Sequence, residues 1–375
     1  MAGSAPVTLP DFPWDSLAPY QEAARSHPGG VVDLSVGTPV DAVPDTVRAA
    51  LASRSEVPGY PATHGTPELR RTVVEALRRR HGVTGLEPNA VLPTIGSKEM
   101  VAWLPRLLGI GQGDTVVIPE VCYPTYEVGA MLAGAQVTRA DSLTALGPAR
   151  PSMIWLNSPS NPTGRVLGTD HLRKVVDWAR ERGTVVVSDE CYLSLGWDAE
   201  PVSVLHPDVH GGSLHGVLAL HSLSKSANMA GYRAGFVTGD PELVAELLGV
   251  RKHAGMIVPR PVQEAMRAAL ADDEALASQR ARYAGRRELL RPALEECGFR
   301  VDHSDAGLYL WASRDEDAWD TIGWLAELGI LAAPGTFYGP AGSRHVRIAL
   351  TATDERVDAA IARLGAAAQA GGSAR

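Results

Sequence analysis

The sequence predicts an α/β protein with a large domain, a mainly parallel sheet covered by helices, and a smaller α/β domain. Three observations carry this expectation. Between Val91 and Ser188, short apolar runs alternate with longer stretches of helical periodicity, the pattern of strands joined by crossover helices. Polar segments rich in small and hydroxyl residues follow several of those runs, where open α/β sheets hold their ligands. The chain has 375 residues, more than the roughly 250–300 at which one core divides.

Taken in order, Trp14 to Arg25 reads as a short helix in a proline-bearing segment with little core of its own. Val31 to Pro39 gives a brief strand and a turn. Gly37, lacking a Cβ, serves there either as a simple turn residue or to admit a ligand close to the backbone. PDTVRAALA has apolar residues at helical spacing and predicts a helix over about Pro44–Arg54. Tyr60 lies in the loop that follows, and Thr66-Pro67-Glu68 starts an amphipathic helix. Val91–Ile95 reads as a strand. Gly96-Ser97-Lys98-Glu99 then opens a helix to Leu108, whose first amides can cradle an anion. Val116–Pro119 is the next strand and leads into CYPTYEVG, with Tyr123 and Tyr126; Tyr126 reads as structural.

Met153–Leu156 is a buried-strand run before the turn NSPSNPTG, Asn157 to Gly164. A helix from Thr169 stops near Gly183. Thr184–Ser188 is a strand with Asp189 at its carboxyl end, where an aspartate serves as a cap or as a site residue. Cys191 reads as a small packed thiol. Val217–Leu220 delivers the chain into SLSK, Ser222 to Lys225. Pro241–Lys252 is helical, and after MIVPRPVQ a long helical region extends toward Cys297. Leu308–Trp311 reads as strand and Ile322–Leu328 as helix. The glycines of Gly335–Gly342 suit a mobile rim, HVRIAL is a strand, and AAAQAGGSAR is a weakly ordered end.

Composition excludes several function classes. Hydrophobic residues make up 45% and charged residues 21%, an ordinary soluble balance. A formal charge of -8 without basic blocks argues against a nucleic-acid surface. No apolar run approaches the ~20 residues that span a bilayer, and the start MAGSAPVTLPDFPWD lacks the layout of a secretory signal. Cys122, Cys191 and Cys297 are far apart and odd in number, as expected of reduced thiols in a cytoplasmic protein without a metal site.

The chemistry concentrates around Lys225. Lysine is scarce: there are four, against thirty-one arginines. A guanidinium neither deprotonates nor forms an imine, whereas a lysine can bond to an aldehyde and act as a base when released. Ser222, Ser224 and Arg233 around it suit a phosphate dianion. Arg347 lies in an apolar run, where a cation calls for a paired anion, internal or external.

The ordered set Gly37 through Tyr60, NSPSNPTG, SDECY, SLSK and Arg347 resembles the class I/II pyridoxal-phosphate aminotransferases of fold type I over nearly the whole chain. GTPVD at Gly37–Asp41, SLSKSANMAGYRAGFV and RKHAGMIVPRPVQ at Arg251–Gln263 are most similar to the actinobacterial succinyldiaminopimelate aminotransferases. The resemblance implies an N-terminal arm over 1–45, a large cofactor domain over 46–258 and a small domain over 259–375. It implies pyridoxal 5'-phosphate joined to Lys225 as a Schiff base, with Asp189 facing the pyridine nitrogen and Tyr123 stacked on the ring. Asn161 and Tyr192 would reach its phenolate side. Ser97, Lys98, Ser222, Ser224 and Arg233 would hold its phosphate, and Tyr60 would join them from the partner subunit of a homodimer. Gly37, Asn161 and Arg347 would face substrate, with Arg347 clamping the α-carboxylate. The implied reaction is transamination between N-succinyl-L,L-2,6-diaminopimelate and 2-oxoglutarate. An aspartate or other amino-acid aminotransferase, and a C–S lyase on the same scaffold, are the alternatives. Ser226 departs from the arginine the resemblance leads one to expect after the lysine.

Overall fold

The computed structural model describes residues 8–372. Its strands are β1 (Val32–Asp33), β2 (Val91–Ile95), β3 (Thr115–Ile118), β4 (Gln136–Arg139), β5 (Met153–Asn157), β6 (Val185–Asp189), β7 (Val217–Ser222) and β8 (Ala234–Gly239). They continue with β9 (Arg300–Asp302), β10 (Tyr309–Ser313), β11 (Ile330–Leu331), β12 (Ala333–Pro334) and β13 (Val346–Ala349). The large sheet runs β2-β8-β7-β6-β5-β3-β4. Only β8 opposes its neighbours, pairing antiparallel with both β2 and β7. The reason lies in the connection Leu223–Arg233. It holds a 3-10 turn, Ala230–Tyr232, but no α-helix, and a parallel return needs a crossover of a dozen or more residues.

Both faces of the sheet are covered. Val186, Ala219 and Phe236 point into a core shared with helices Pro67–His81, Thr169–Arg180 and Arg260–Ala271. Val187, Leu218 and Val237 point the other way, toward helices Ser97–Leu107, Thr125–Ala133 and Pro241–Ala254. The continuous apolar runs of β5 to β7 follow from this, since strands buried on both faces do not alternate. Thr66 caps the helix it was expected to start, its hydroxyl accepting from the Leu69 amide at 3.1 Å.

The smaller domain has the antiparallel sheet β12-β13-β10-β9, with helices Asp273–Glu296 and Asp354–Gly372 packed together. Leu17, Val32 and Leu34 enter its core, and β1 pairs with β11, so the N-terminal segment folds back onto it. The long helical region expected up to Cys297 is two helices, broken at Asp272, whose side chain caps the second. The first, Arg260–Ala271, lies beyond the limit expected at 258. Its stripe Ala265, Met266, Ala269 and Leu270 is nonetheless buried in the large core. The C-terminal stretch expected to be weakly ordered is helical to Gly372, in keeping with its alanines. Residues 1–7 and 373–375, on which the readings of the start and of the final residues partly fall, lie outside the described residues. Among the described residues no helix is long and apolar enough to cross a membrane.

Candidate active site

A cavity of about 470 Å³ opens at the carboxyl ends of β5, β6 and β7, between the two domains. The strand register sets Asn157 beside Asp189 and Asp189 beside Leu220, so three successive strand ends deliver side chains to one place. The cavity wall includes Lys225, Asp189, Tyr123, Asn161, Arg233 and Arg347.

Asp189 is buried. One carboxylate oxygen accepts from the Tyr126 hydroxyl at 2.8 Å and the other from the Cys191 amide at 3.2 Å. Burial pushes its carboxyl up, and these hydrogen bonds offset only part of the effect. No arginine or lysine pairs with it among the described residues, so the carboxylate can receive a cationic N–H from a guest. Burial likewise lowers the Lys225 ammonium toward its neutral form. Its Nζ donates to the Gly37 carbonyl, and the Tyr283 hydroxyl donates to the Lys225 carbonyl at 3.2 Å. Gly37 must lack a side chain, because a Cβ there would sit 2.8 Å from Cζ of Tyr309. The Tyr192 and Tyr309 hydroxyls meet at 3.2 Å.

At the other end, Ser97 begins the helix Ser97–Leu107 and lines the cavity with Ser222, Ser224 and Arg233. Two glycines permit this convergence. A Cβ on Gly96 would strike the Arg233 guanidinium, and one on Gly235 would lie 3.0 Å from the Ser97 amide nitrogen. Helix-terminal amides, hydroxyls and a guanidinium together form a site for a dianion. Lys98 also lines the cavity, with its ammonium 5.6 Å from the Phe12 ring and 5.7 Å from the Tyr123 ring. It is thus held between two aromatic faces.

Arg347 is only 2% exposed. It donates to Asn161 Oδ1 at 3.0 Å and to the Ser35 carbonyl at 2.7 Å, and its Nε has no partner among the described residues. Its guanidinium lies 3.9 Å from the Tyr309 ring centroid and 5.0 Å from that of Tyr338. No carboxylate pairs with it among the described residues, leaving a buried cation able to take one from a ligand. Asn161 is held by Asn157, whose Oδ1 accepts the Asn161 amide at 2.7 Å and whose Nδ2 donates to the Asp189 carbonyl at 2.9 Å. Asn157 therefore orients the turn.

Several residues escaped the sequence reading. Tyr126, read as structural, holds Asp189; Tyr309 and Trp14 line the cavity. Aromatic residues two strands or a whole domain away leave no local signal, although the CYPTYEVG spacing puts Tyr123 and Tyr126 on one helix start. Gly335–Gly342, expected to form a mobile rim, consists of two 3-10 turns. Tyr338 is buried there, and the Gly335 amide is bonded to the His345 carbonyl at 2.7 Å. Tyr60 is fully exposed and does not line the cavity of its own chain. His215, Asp240 and Glu242 cluster at the start of helix Pro241–Ala254, but Asp240 is occupied in accepting the Glu242 and Gly216 amides.

The site thus combines a cradle for a dianion, a buried carboxylate free of internal cations among the described residues, and a buried lysine amine. Comparison with known proteins agrees. Residues 29–364 match the family described as aminotransferase class I and II. The chain is 66% identical over 362 residues to Mycobacterium tuberculosis Rv1178, named a probable aminotransferase, covering 96% of this chain and 87% of that protein. It is 58% identical over 356 residues to the 4-dedimethylamino-4-oxo-anhydrotetracycline transaminase OxyQ of Streptomyces rimosus, covering 95% and 99%. Its fold matches a Thermus thermophilus structure described as a probable N-succinyldiaminopimelate aminotransferase, with a TM-score of 0.85 and 29% identity, covering 95% and 100%. The chain belongs to the class I and II aminotransferases and is a fold-type I enzyme that uses pyridoxal phosphate.

Proposed function

We propose that this enzyme transfers the amino group of N-succinyl-L,L-2,6-diaminopimelate to 2-oxoglutarate, in the cytoplasmic synthesis of diaminopimelate and lysine. The observation that carries the reading is Arg347: a buried guanidinium with an unpartnered Nε, facing the cavity that Lys225 and Asp189 also line. Such a group supplies planar, bidentate recognition of a reacting carboxylate. When bound, the cofactor supplies an aldehyde that joins amines and a protonated ring that withdraws electrons from the substrate Cα. In this reading Asp189 accepts the ring N–H, and its burial strengthens that charge pair. Ser97, Ser222, Ser224 and Arg233 hold the phosphate, with Lys98 at its edge, and Tyr123 stacks on the ring. Asn161 and Tyr192 steady the phenolate oxygen, and Gly37 lines the substrate side, its missing Cβ making room for the Tyr309 ring. Lys225 would be the base, its neutral Nζ taking up the proton from the substrate Cα. Burial favours the neutral amine that this step needs. Tyr60 reaches the phosphate of the partner subunit in a homodimer, which accords with its full exposure in the single chain.

Support for the long succinylated donor comes from the motifs GTPVD and RKHAGMIVPRPVQ and from the Thermus likeness. A second reading has its own observation: the 58% identity to a transaminase named for a polycyclic ketone, together with the aromatic Trp14 at the cavity. The test is a competition assay with the succinylated donor, free diaminopimelate, aspartate and a branched amino acid. It follows 2-oxoglutarate consumption, with 4-dedimethylamino-4-oxo-anhydrotetracycline as an alternative acceptor. The reading expects the highest kcat/KM for the succinylated donor. Equal efficiency with aspartate, or preferential amination of the polycyclic ketone, overturns it and leaves the aminotransferase assignment intact.

A further inference from the structure

A second cavity, of about 360 Å³, lies behind the Asn157–Gly164 turn, away from Lys225. Its volume is that of a small-molecule site, and it sits between domains, where such sites concentrate. The floor is apolar: Leu146, Ile154, Leu156 and Val175 line it, all buried in the large core. Trp311 of the smaller domain closes one side, its ring stacked on His345 at 4.8 Å with 4° between the planes.

The ionisable groups around the cavity are unequally engaged. Asp302 already accepts from Arg300 Nε at 2.8 Å and pairs with His345 Nε2 at 2.8 Å. Asp141 accepts the Glu120 amide at 3.0 Å. The side chains of Arg165, His171 and His303 line the same space and make no hydrogen bond or ion pair among the described residues. Burial, and then the charge of Arg165, lower the His171 imidazole, so at neutral pH it is an uncharged hydrogen-bonding group. Arg165 brings the one guanidinium among these uncommitted groups. An apolar floor with an unengaged guanidinium at its rim is complementary to a molecule with a hydrophobic body and one carboxylate.

We propose that this cavity is a second binding site, separate from the active site, for a small amphipathic carboxylate whose apolar body rests on Ile154 and Val175 and whose anionic end meets Arg165. The test is calorimetric titration of the holoenzyme with 3-phenylpropionate, compared with 3-phenylpropan-1-ol and 3-phenylpropylamine. Because the active site also takes carboxylates, the Arg347→Ala holoenzyme is titrated in parallel. Arg165 is exposed, so Arg165→Gln leaves the fold in place. The expected result is saturable binding that survives Arg347→Ala and weakens about tenfold or more in Arg165→Gln, with the alcohol and the amine weaker than the acid. Loss of binding in Arg347→Ala, an affinity within about twofold in Arg165→Gln, an amine as tight as the acid, or no saturation by about 10 mM each overturns the proposal.

Discussion

Tyr126→Phe isolates the support beneath Asp189. The substitution keeps the ring, which stacks on Trp155 with centroids 4.8 Å apart, and deletes only the hydroxyl that donates to Asp189 Oδ2 at 2.8 Å. Both residues are buried, so water cannot replace the lost donor. A hydrogen bond to a charged group in such a place contributes about 1.5–3 kcal/mol. Its loss raises the Asp189 carboxyl further, because one of the hydrogen bonds that offset its burial is gone, and weakens its hold on a protonated ring nitrogen. If that hold matters only as negative charge develops at Cα, kcat falls about 10- to 100-fold. KM for the amino donor stays within about threefold, because Arg347 and Asn161 still bind the carboxylate. The assay is single-turnover absorbance of the holoenzyme with protonated and α-deuterated donor, across pH. The expected outcome is a slower α-proton step with a larger isotope effect and a shifted pH profile of the cofactor band. A proton-transfer rate within twofold of wild type and an unmoved profile would show that Tyr126 is only a packing residue.

Borohydride reduction followed by peptide mass analysis is expected to find the phosphopyridoxyl adduct on Lys225. Lys225→Ala is expected to lose that adduct and nearly all transamination; an adduct on Lys98 or Lys252 would refute the assignment. Mixing Lys225→Ala with a Tyr60→Phe variant weakened in phosphate binding is expected to restore activity through one intact composite site per mixed dimer. No recovery after verified subunit exchange rules out donation across the interface. Burial holds the His81 imidazole down at about 4, against about 6.5 in an unfolded chain. The unfolded chain then binds the proton first, so this contribution is full above pH ~6.5 and falls by up to about 3 kcal/mol as pH drops toward 4. Glu190, pushed up to about 7 by burial, acts with the opposite sign, its contribution falling as pH rises from about 4.5 to 7. On going from pH 7 to 4.5 the urea midpoint of His81→Gln is expected to fall less, or rise more, than that of wild type; an identical signed change in both would place the acid sensitivity elsewhere.

The sequence alone determined what local chemistry can write. Continuous apolar runs at β2, β5, β6 and β7 announce strands buried on both faces. Thr66 with Pro67 announces a helix start, and Asp189, Ser222 and Lys225 announce themselves as polar residues at strand exits. β4, an edge strand reading Gln136–Arg139, was not legible, because its exposed edge removes the hydrophobic signal. Nor was the reversal of β8, which depends on the connection from Leu223 to Arg233 lacking an α-helix. The tertiary structure decided which aromatic residues matter. Tyr126 reaches Asp189 from another element, Tyr309 closes on Gly37 from the smaller domain, and Trp14 arrives from the N-terminal segment. It also decided that Arg347 finds no internal carboxylate among the described residues, a fact about distances between elements far apart in the chain. Propensity and periodicity act over a few residues, so they fix the strand and the residue at its end. Only packing brings three strand ends together and leaves a buried cation waiting for an acid.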